Sequence, residues 1–215
     1  MSRIKTRDLI LDTSRALFNS KGVDSVSINK LAKHLGISTG NLTYHFKRRK
    51  DIMAHHIQAL ESELIDVVED FPLEGNAKEF IFAYAKLFEV TWNYRFLFNN
   101  AAHLIQNEFL SPEEYELLIN HIQGVVLARI KHLTEAGFMK EIPQPFDAEI
   151  LSDSMWWQWL GWLEVNQIRK TSDQLPLSKL LASGVRHSIF ITHHYMKKRY
   201  LDQLLKALEE FEAQA

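Results

Sequence analysis

A single glycine between two short apolar faces near the start of the chain restricts its folding more tightly than any other feature. From Ser27 to Leu35 the apolar residues Ile28, Leu31, Ala32 and Leu35 recur at i, i+3, i+4 and i+7, the spacing of one face of a helix. Ser27 precedes that face, where its hydroxyl can accept from the unpaired N–H groups of the first turn. Gly36 follows it, and glycine tolerates the left-handed conformation that closes many helices. Ile37 supplies an apolar plug and Ser38 a second cap, so the next helix begins after about three residues, the turn length of a helix-turn-helix. On that second helix Ile37, Leu42 and Phe46 can point inward, leaving Thr39, Asn41, Tyr44 and His45, with Lys47 beyond them, as an outward set. Small, polar and basic, this set suits a DNA major groove, where asparagine pairs with adenine and apolar atoms meet thymine methyls. An ordinary helical hairpin with a glycine corner shares the turn.

Charge weighs against the ordinary hairpin. Residues 1–56 hold eleven Lys or Arg against four Asp, a net charge of plus seven, while the remainder holds fourteen basic and twenty-three acidic residues, a net charge of minus nine. A phosphate backbone attracts the first segment and repels the second. In Lys47-Arg48-Arg49-Lys50 four cations open a helix against its macrodipole, and an external polyanion would relieve that conflict.

From about Lys5 to Leu60 the chain resembles the N-terminal domain of the tetracycline-repressor (TetR) family of one-component bacterial regulators. Ile10 through Phe18-Asn19-Ser20-Lys21-Gly22 is similar to the family's first helix and closing glycine, and Ser27-Ile28-Asn29-Lys30-Leu31-Ala32 to its second helix. Gly36-Ile37-Ser38-Thr39-Gly40-Asn41-Leu42 with His45-Phe46 is similar to its recognition helix, and Lys47-Arg48-Arg49-Lys50-Asp51-Ile52 to the start of its fourth. The resemblance implies an all-α fold. An N-terminal three-helix bundle with a helix-turn-helix, about residues 1–50, precedes a larger helical effector-binding and dimerisation domain over 51–215. It also implies a cytoplasmic homodimer that binds a palindromic operator in double-stranded DNA, usually to repress, under the control of a small-molecule effector.

Carried onto matching positions, the resemblance implies that Thr39, Asn41 and Tyr44 read bases from the helix that Ser38 caps, while Ser27, His45, Lys47 and Arg49 grip phosphates. Gly40 would permit close approach, because no side chain stands between backbone and DNA. One departure concerns the residue after the recognition-helix Leu, usually Tyr in the family. Here it is Thr43 with Tyr44 next, so either Tyr44 supplies the phosphate contact from a neighbouring angle or Thr43 makes a shorter one. The resemblance also implies that Arg3, Lys5 and Arg7 form an arm that can contact phosphates, although a frayed basic terminus has the same composition.

The rest of the chain reads as helices. The first runs over about 6–20, and a fourth over about 48–70 carries Ile52, Ile57, Leu60, Leu64 and Val67 out of the head until Phe71-Pro72-Leu73-Glu74-Gly75 breaks it. Further helices are expected over 76–93 and, less regularly, 96–109. Ser111-Pro112-Glu113-Glu114 places a capping Ser, a first-turn Pro and a reciprocal Glu in order, opening a helix that Gly137 closes. Asp147 caps another that lasts to about Arg169, and one or two more run from Ser178 toward Glu212. Met155, Trp156, Trp157, Trp159, Leu160, Trp162, Leu163 and Val165 surround most of one helix, where a surface helix needs one stripe. It must be covered on more than one side, and the resemblance implies a four-helix bundle between two subunits. Tyr94-Arg95-Phe96-Leu97-Phe98-Asn99-Asn100 is similar to an aromatic Tyr-Arg-Phe segment of a TetR subgroup.

Small-molecule sites are mostly apolar with few polar groups, so Phe88, Trp92, Phe98, Phe109, Trp156 and Trp159 are candidate effector contacts, with Arg95, His103, Gln106 and His121 as polar partners. Aromatics at helical spacing are also ordinary core residues. Other chemistries find no residue set. The chain has no cysteine, which excludes disulfides and thiolate metal sites and suits a reducing compartment. Its start lacks an apolar signal region, and no run approaches the length of a membrane span. The ten histidines offer no metal-ligand spacing, and neither a phosphate-binding glycine loop nor a nucleophile turn occurs. No cofactor, metal or catalytic residue is therefore expected. The competing expectation is a helical, DNA-associated protein-interaction factor without an effector.

Overall fold

Helices begin where a side chain can take up free N–H groups and end where the chain can turn. In the computed structural model Ser27 Oγ accepts from Lys30 N at 3.2 Å, Ser38 Oγ from Asn41 N at 3.1 Å, and Asp147 Oδ1 from Ile150 N at 2.9 Å. The reciprocal cap also forms: Glu114 N donates to Ser111 Oγ at 3.0 Å, and Ser111 N to Glu114 Oε2 at 2.8 Å. The structure describes residues 6–69, 76–170 and 174–214. Arg3, Lys5 and the expected break at Phe71–Gly75 lie outside the described residues. Within them are eleven helices: α1 Thr6–Lys21, α2 Ile28–Leu35, α3 Thr39–His45, α4 Arg49–Glu69, α5 Ala77–Asn93, α6 Arg95–Phe98, α7 Ala101–Gln106, α8 Pro112–Glu135, α9 Ala148–Ile168, α10 Leu177–Thr192 and α11 Lys198–Ala213. No helix among the described residues is long and apolar enough to cross a membrane.

The chain divides into two compact units. The first comprises Met1–Glu63 with Asn93–Tyr115, the second Leu64–Trp92 with Glu116–Ala215. The unit that holds α1 to α3 therefore takes in more chain than the head expected over residues 1–50. The added chain is residues 51–63 and 93–115, and the placement of the aromatic Tyr94–Asn100 stretch within it has a clear cause. Phe96 lies against Phe18 with ring centroids 5.3 Å apart. Asn19 Nδ2 donates to Asn93 O at 2.7 Å, and its Oδ1 accepts from Phe96 N at 3.2 Å. Arg15 Nη1 donates to the Tyr94 hydroxyl at 3.1 Å, which in turn donates to Glu63 Oε1 at 2.7 Å. The expected helix over 96–109 is split into α6 and α7 by Asn99 and Asn100, since asparagine competes with helical backbone bonding.

His56 on α4 is buried in this unit, its ring edge-on to Phe18, Tyr94 and Phe96. Ser14 Oγ donates to Leu11 O at 2.9 Å and lies 2.9 Å from His56 Nε2. With its one proton spent, the hydroxyl accepts, which assigns the imidazole proton to Nε2. Burial, and then the nearby Arg15 cation, push the His56 pKa down to about 3.

In the second unit, Trp156, Trp159 and Trp162 of α9 are buried while Trp157 is 69% exposed. Trp162 meets Phe88 and Trp92 edge-on at 4.9 and 5.7 Å. Helix α10 comes close to α5 only because residue 184 lacks a side chain: a Cβ there would lie 2.4 Å from Phe88 Cε1. Phe138 rests against Tyr200 of α11 at 4.7 Å, and a bridge pairs Met139 with Met196.

Candidate nucleic-acid interface

Helix α3 is held by its underside and bare on top. Leu42 and Phe46 are buried with Leu31 and Ala32 of α2. Gly36 turns the chain at φ 67°, and Ile37 N donates back to Ala32 O at 3.1 Å, the bonding of a left-handed helix cap. Thr39, Gly40 and Asn41 are exposed. Tyr44 is 84% exposed, too much for any internal packing role, with its ring edge-on to His45 at 5.2 Å.

The outward polar groups differ in what they have left to offer. Ser27 and Ser38 spend oxygen lone pairs on capping and keep their protons. Thr39 donates to Asn29 Oδ1 on α2 at 3.3 Å, bringing Asn29 onto the same face. Residue type alone gave no reason to select Asn29 for this face. Thr43 is half-buried and donates to Gly40 O at 3.2 Å. Its proton is used within the helix, and the exposed phenol of Tyr44 is left as the outward hydroxyl.

The basic run sorts in the same way. Lys47 is exposed. Arg48 pairs with Asp51 at 3.1 Å, and Arg48 N donates to Asp51 Oδ2 at 2.9 Å, so Asp51 offsets part of the cation cluster at the start of α4. Arg49, expected on the outward face, is turned into the protein. Its Nη1 donates to Val23 O at 2.9 Å, it pairs with Asp24 at 3.7 Å, and its guanidinium covers the Phe109 ring at 4.6 Å. Arg7 donates to His55 Nε2 at 2.7 Å and lies over Phe46.

The expected effector contacts fall into separate groups. Phe88, Trp156 and Trp159 line a narrow hollow within the second unit, together with Gln123 and Ser152. An adjoining narrow hollow, part of it open to solvent, is lined by residues of α5, α8, α9 and α10. Trp92 is buried against Trp162 and lines neither, and His121 is exposed on α8. Arg95, Phe98, His103, Gln106 and Phe109 belong to the first unit. Phe109 lies under Arg49 and His103 pairs with Asp24, so these two support the segment leading into α2 and the start of α4, and none of the five lines either hollow. Arg129, which lines the adjoining hollow, was not among the expected contacts. Its signal was a cation in the apolar stripe Ile122, Val126, Arg129, Leu133.

Two family models match the chain: one described as "Bacterial regulatory proteins, tetR family" over residues 10–55, the other as "Bacterial transcriptional repressor" over 47–204. An HTH-type transcriptional regulator of Staphylococcus aureus (strain bovine RF122 / ET3-1) is 40% identical over 55 residues, 26% of this chain and 30% of that protein. The match thus spans under a third of the relative's length. A TetR-family transcriptional regulator from Marinobacter aquaeolei VT8 superposes with a TM-score of 0.79 and 25% identity over 97% of this chain and 99% of the other. The ketosteroid transcriptional regulator KstR2 of Mycobacterium tuberculosis gives 0.61 and 13% over 92% and 98%, a likeness of fold alone.

Proposed function

This chain belongs to the TetR family of bacterial transcriptional regulators, and from that premise we propose that it acts as a dimeric regulator, in the family's usual mode a repressor. It recognises an inverted repeat in double-stranded DNA, and a small apolar effector in the second unit modulates its affinity. The observation that carries this reading is the upper face of α3, which is exposed, polar and glycine-relieved. Asn41 and Thr39 read base edges, and Gly40 lets the backbone approach. Tyr44, Ser27, His45 and Lys47 grip phosphates, with Tyr44 replacing the contact that Thr43 cannot donate. Arg49 fixes the start of α4 from inside.

Dimerisation is supported by an uncovered apolar stripe. On α9, Ile150, Trp157, Val165 and Ile168 are exposed at helical spacing around the small Gly161, and Phe190 on α10 is 69% exposed. Contiguous apolar surface of this kind marks an interaction site, and a second copy of the same two helices completes a four-helix bundle. Two heads then meet DNA with half-site centres about 34–36 Å apart or a multiple of that. One protein of this fold carries the name ketosteroid transcriptional regulator, and the hollows here are apolar and aromatic-lined, as small-molecule sites are. An effector shifts DNA affinity only by its different affinities for the two states of the protein.

Selection of short duplexes from a random pool tests the reading. Enrichment of an inverted repeat is expected. Recovery without sequence preference would replace it with a DNA-associated interaction protein.

A further inference from the structure

Helix α3 carries two threonines, and neither has a hydroxyl proton to spare. Thr43 donates to Gly40 O one turn back at 3.2 Å. Thr39 is the first residue of α3, so no carbonyl of its own helix lies a turn behind it. Its proton goes instead across the corner at Gly36, to Asn29 Oδ1 on α2 at 3.3 Å. Both residues are exposed, yet the approach of their backbones is fixed: Ile37 N is bonded to Ala32 O, and the undersides of the two helices are buried through Leu31, Ala32 and Leu42. The hydroxyl and the methyl of a threonine occupy different staggered positions about one stiff torsion. Bonding Oγ1 to Asn29 therefore also sets the Cγ2 methyl. With the oxygen engaged, the methyl is the group that exposed Thr39 has left to present. The first residues of a recognition helix are those that meet base edges, and the one apolar mark on those edges is the C5-methyl of thymine.

Resting on the reading of α3 as the face that meets DNA, we propose that Thr39 recognises a thymine by its C5-methyl group and that Asn29 is the positioning residue that holds Thr39 for that contact. The test takes the inverted repeat enriched from the random pool and replaces its thymines one position at a time, in both half-sites, by deoxyuridine, which pairs alike and lacks only the methyl. Competition binding with the full chain reads the ratio of the two affinities. At one thymine the wild type is expected to lose about fourfold for each half-site, the worth of one buried methyl group. Thr39→Ser keeps the hydroxyl without the methyl, so it no longer distinguishes the two bases; Thr39→Val keeps a methyl without the hydroxyl and still does. Asn29→Ala frees the torsion and blunts the discrimination. Asn29→Asp retains the acceptor, and with it the discrimination, while its negative charge weakens every duplex alike. An Asn29 that served structure alone would leave the ratio unmoved in both variants. Both positions are exposed, so the variants keep the fold. Discrimination that survives Thr39→Ser and vanishes in Thr39→Val would assign the reading to the oxygen and overturn the proposal. So would full discrimination in Asn29→Ala, or an enriched repeat that lacks thymine or is indifferent to deoxyuridine at every thymine. Those outcomes leave the sequence-specific regulator standing, whereas failure to enrich any repeat removes that reading and the proposal together.

Discussion

Gly40 on α3 and Gly184 on α10 are both helical glycines, and what a methyl group would meet at each separates the two regions that contain them. At Gly184 it would strike the buried Phe88 ring at 2.4 Å, whereas at Gly40 the nearest atom is Ser38 Oγ at 3.9 Å, ordinary contact. The interior of the second unit dictates the first glycine. Nothing inside the chain dictates the second, although glycine in a helix costs up to about 1 kcal/mol relative to alanine. On the reading proposed for α3, the requirement at Gly40 comes from DNA approaching the helix. Residues of the interior answer to their own neighbours, and on that reading those on the upper face of α3 answer to a partner.

This contrast can be broken by substitutions that separate stability from recognition. The largest effect belongs to the interior of the first unit. The folded-state pKa of His56 is depressed to about 3 from an ordinary 6.5, so its contribution is fully present above pH 6.5 and is lost as pH falls toward 3. Calorimetry between pH 6.5 and 5, above most carboxylate titrations, should show the wild type losing up to about 1.4 kcal/mol per pH unit. A His56→Gln variant should lose less over that window, and parallel slopes would mean that the ring is not held neutral by burial. Next, Gly184→Val should cost about 1–3 kcal/mol by overpacking against Phe88, lowering the melting temperature without changing which duplex the folded fraction prefers. On α3 the pattern reverses. Asn41→Ala should relax preference at one base pair of each half-site by about 1–3 kcal/mol in competition binding, with stability unchanged to within about 0.5 kcal/mol. Gly40→Ala should bring a modest stability gain of up to about 1 kcal/mol, together with weaker binding to the selected duplex. If Gly40→Ala instead bound DNA as well as the wild type, the outside requirement at that position would be refuted.

The parts of this molecule that were legible in the sequence are those whose physics is local. Ser27 with Lys30, Ser38 with Asn41, Ser111 with Glu114 and Asp147 with Ile150 are relations across three residues, and all four caps form as the spacing predicts. The turn at Gly36 is likewise set by its own backbone. Arg49, expected on the outward face, turns inward to Val23 O and the Phe109 ring, partners distant in sequence, and a charge run looks the same whether it faces solvent or the protein. Arg95 and Phe98 of the Tyr94–Asn100 stretch, expected among the effector contacts, belong to the first unit for a similar reason. Asn19 receives the stretch, and nothing near residue 94 announces that partner. The hollows draw on α5, α8, α9 and α10, so no spacing along one helix could assemble their lining. Arg129 stood in the apolar stripe of α8 as a visible anomaly, but the anomaly acquires meaning only once the other three helices close around it.

The central claim is that the upper face of α3, presented in paired copies, distinguishes one duplex sequence from others. Competition between the selected inverted repeat and a scrambled duplex of the same length and composition, at fixed physiological salt, tests it most directly. A preference of at least about a thousandfold, the usual lower bound for specific recognition, is predicted. Equal affinity for the two duplexes would contradict the account.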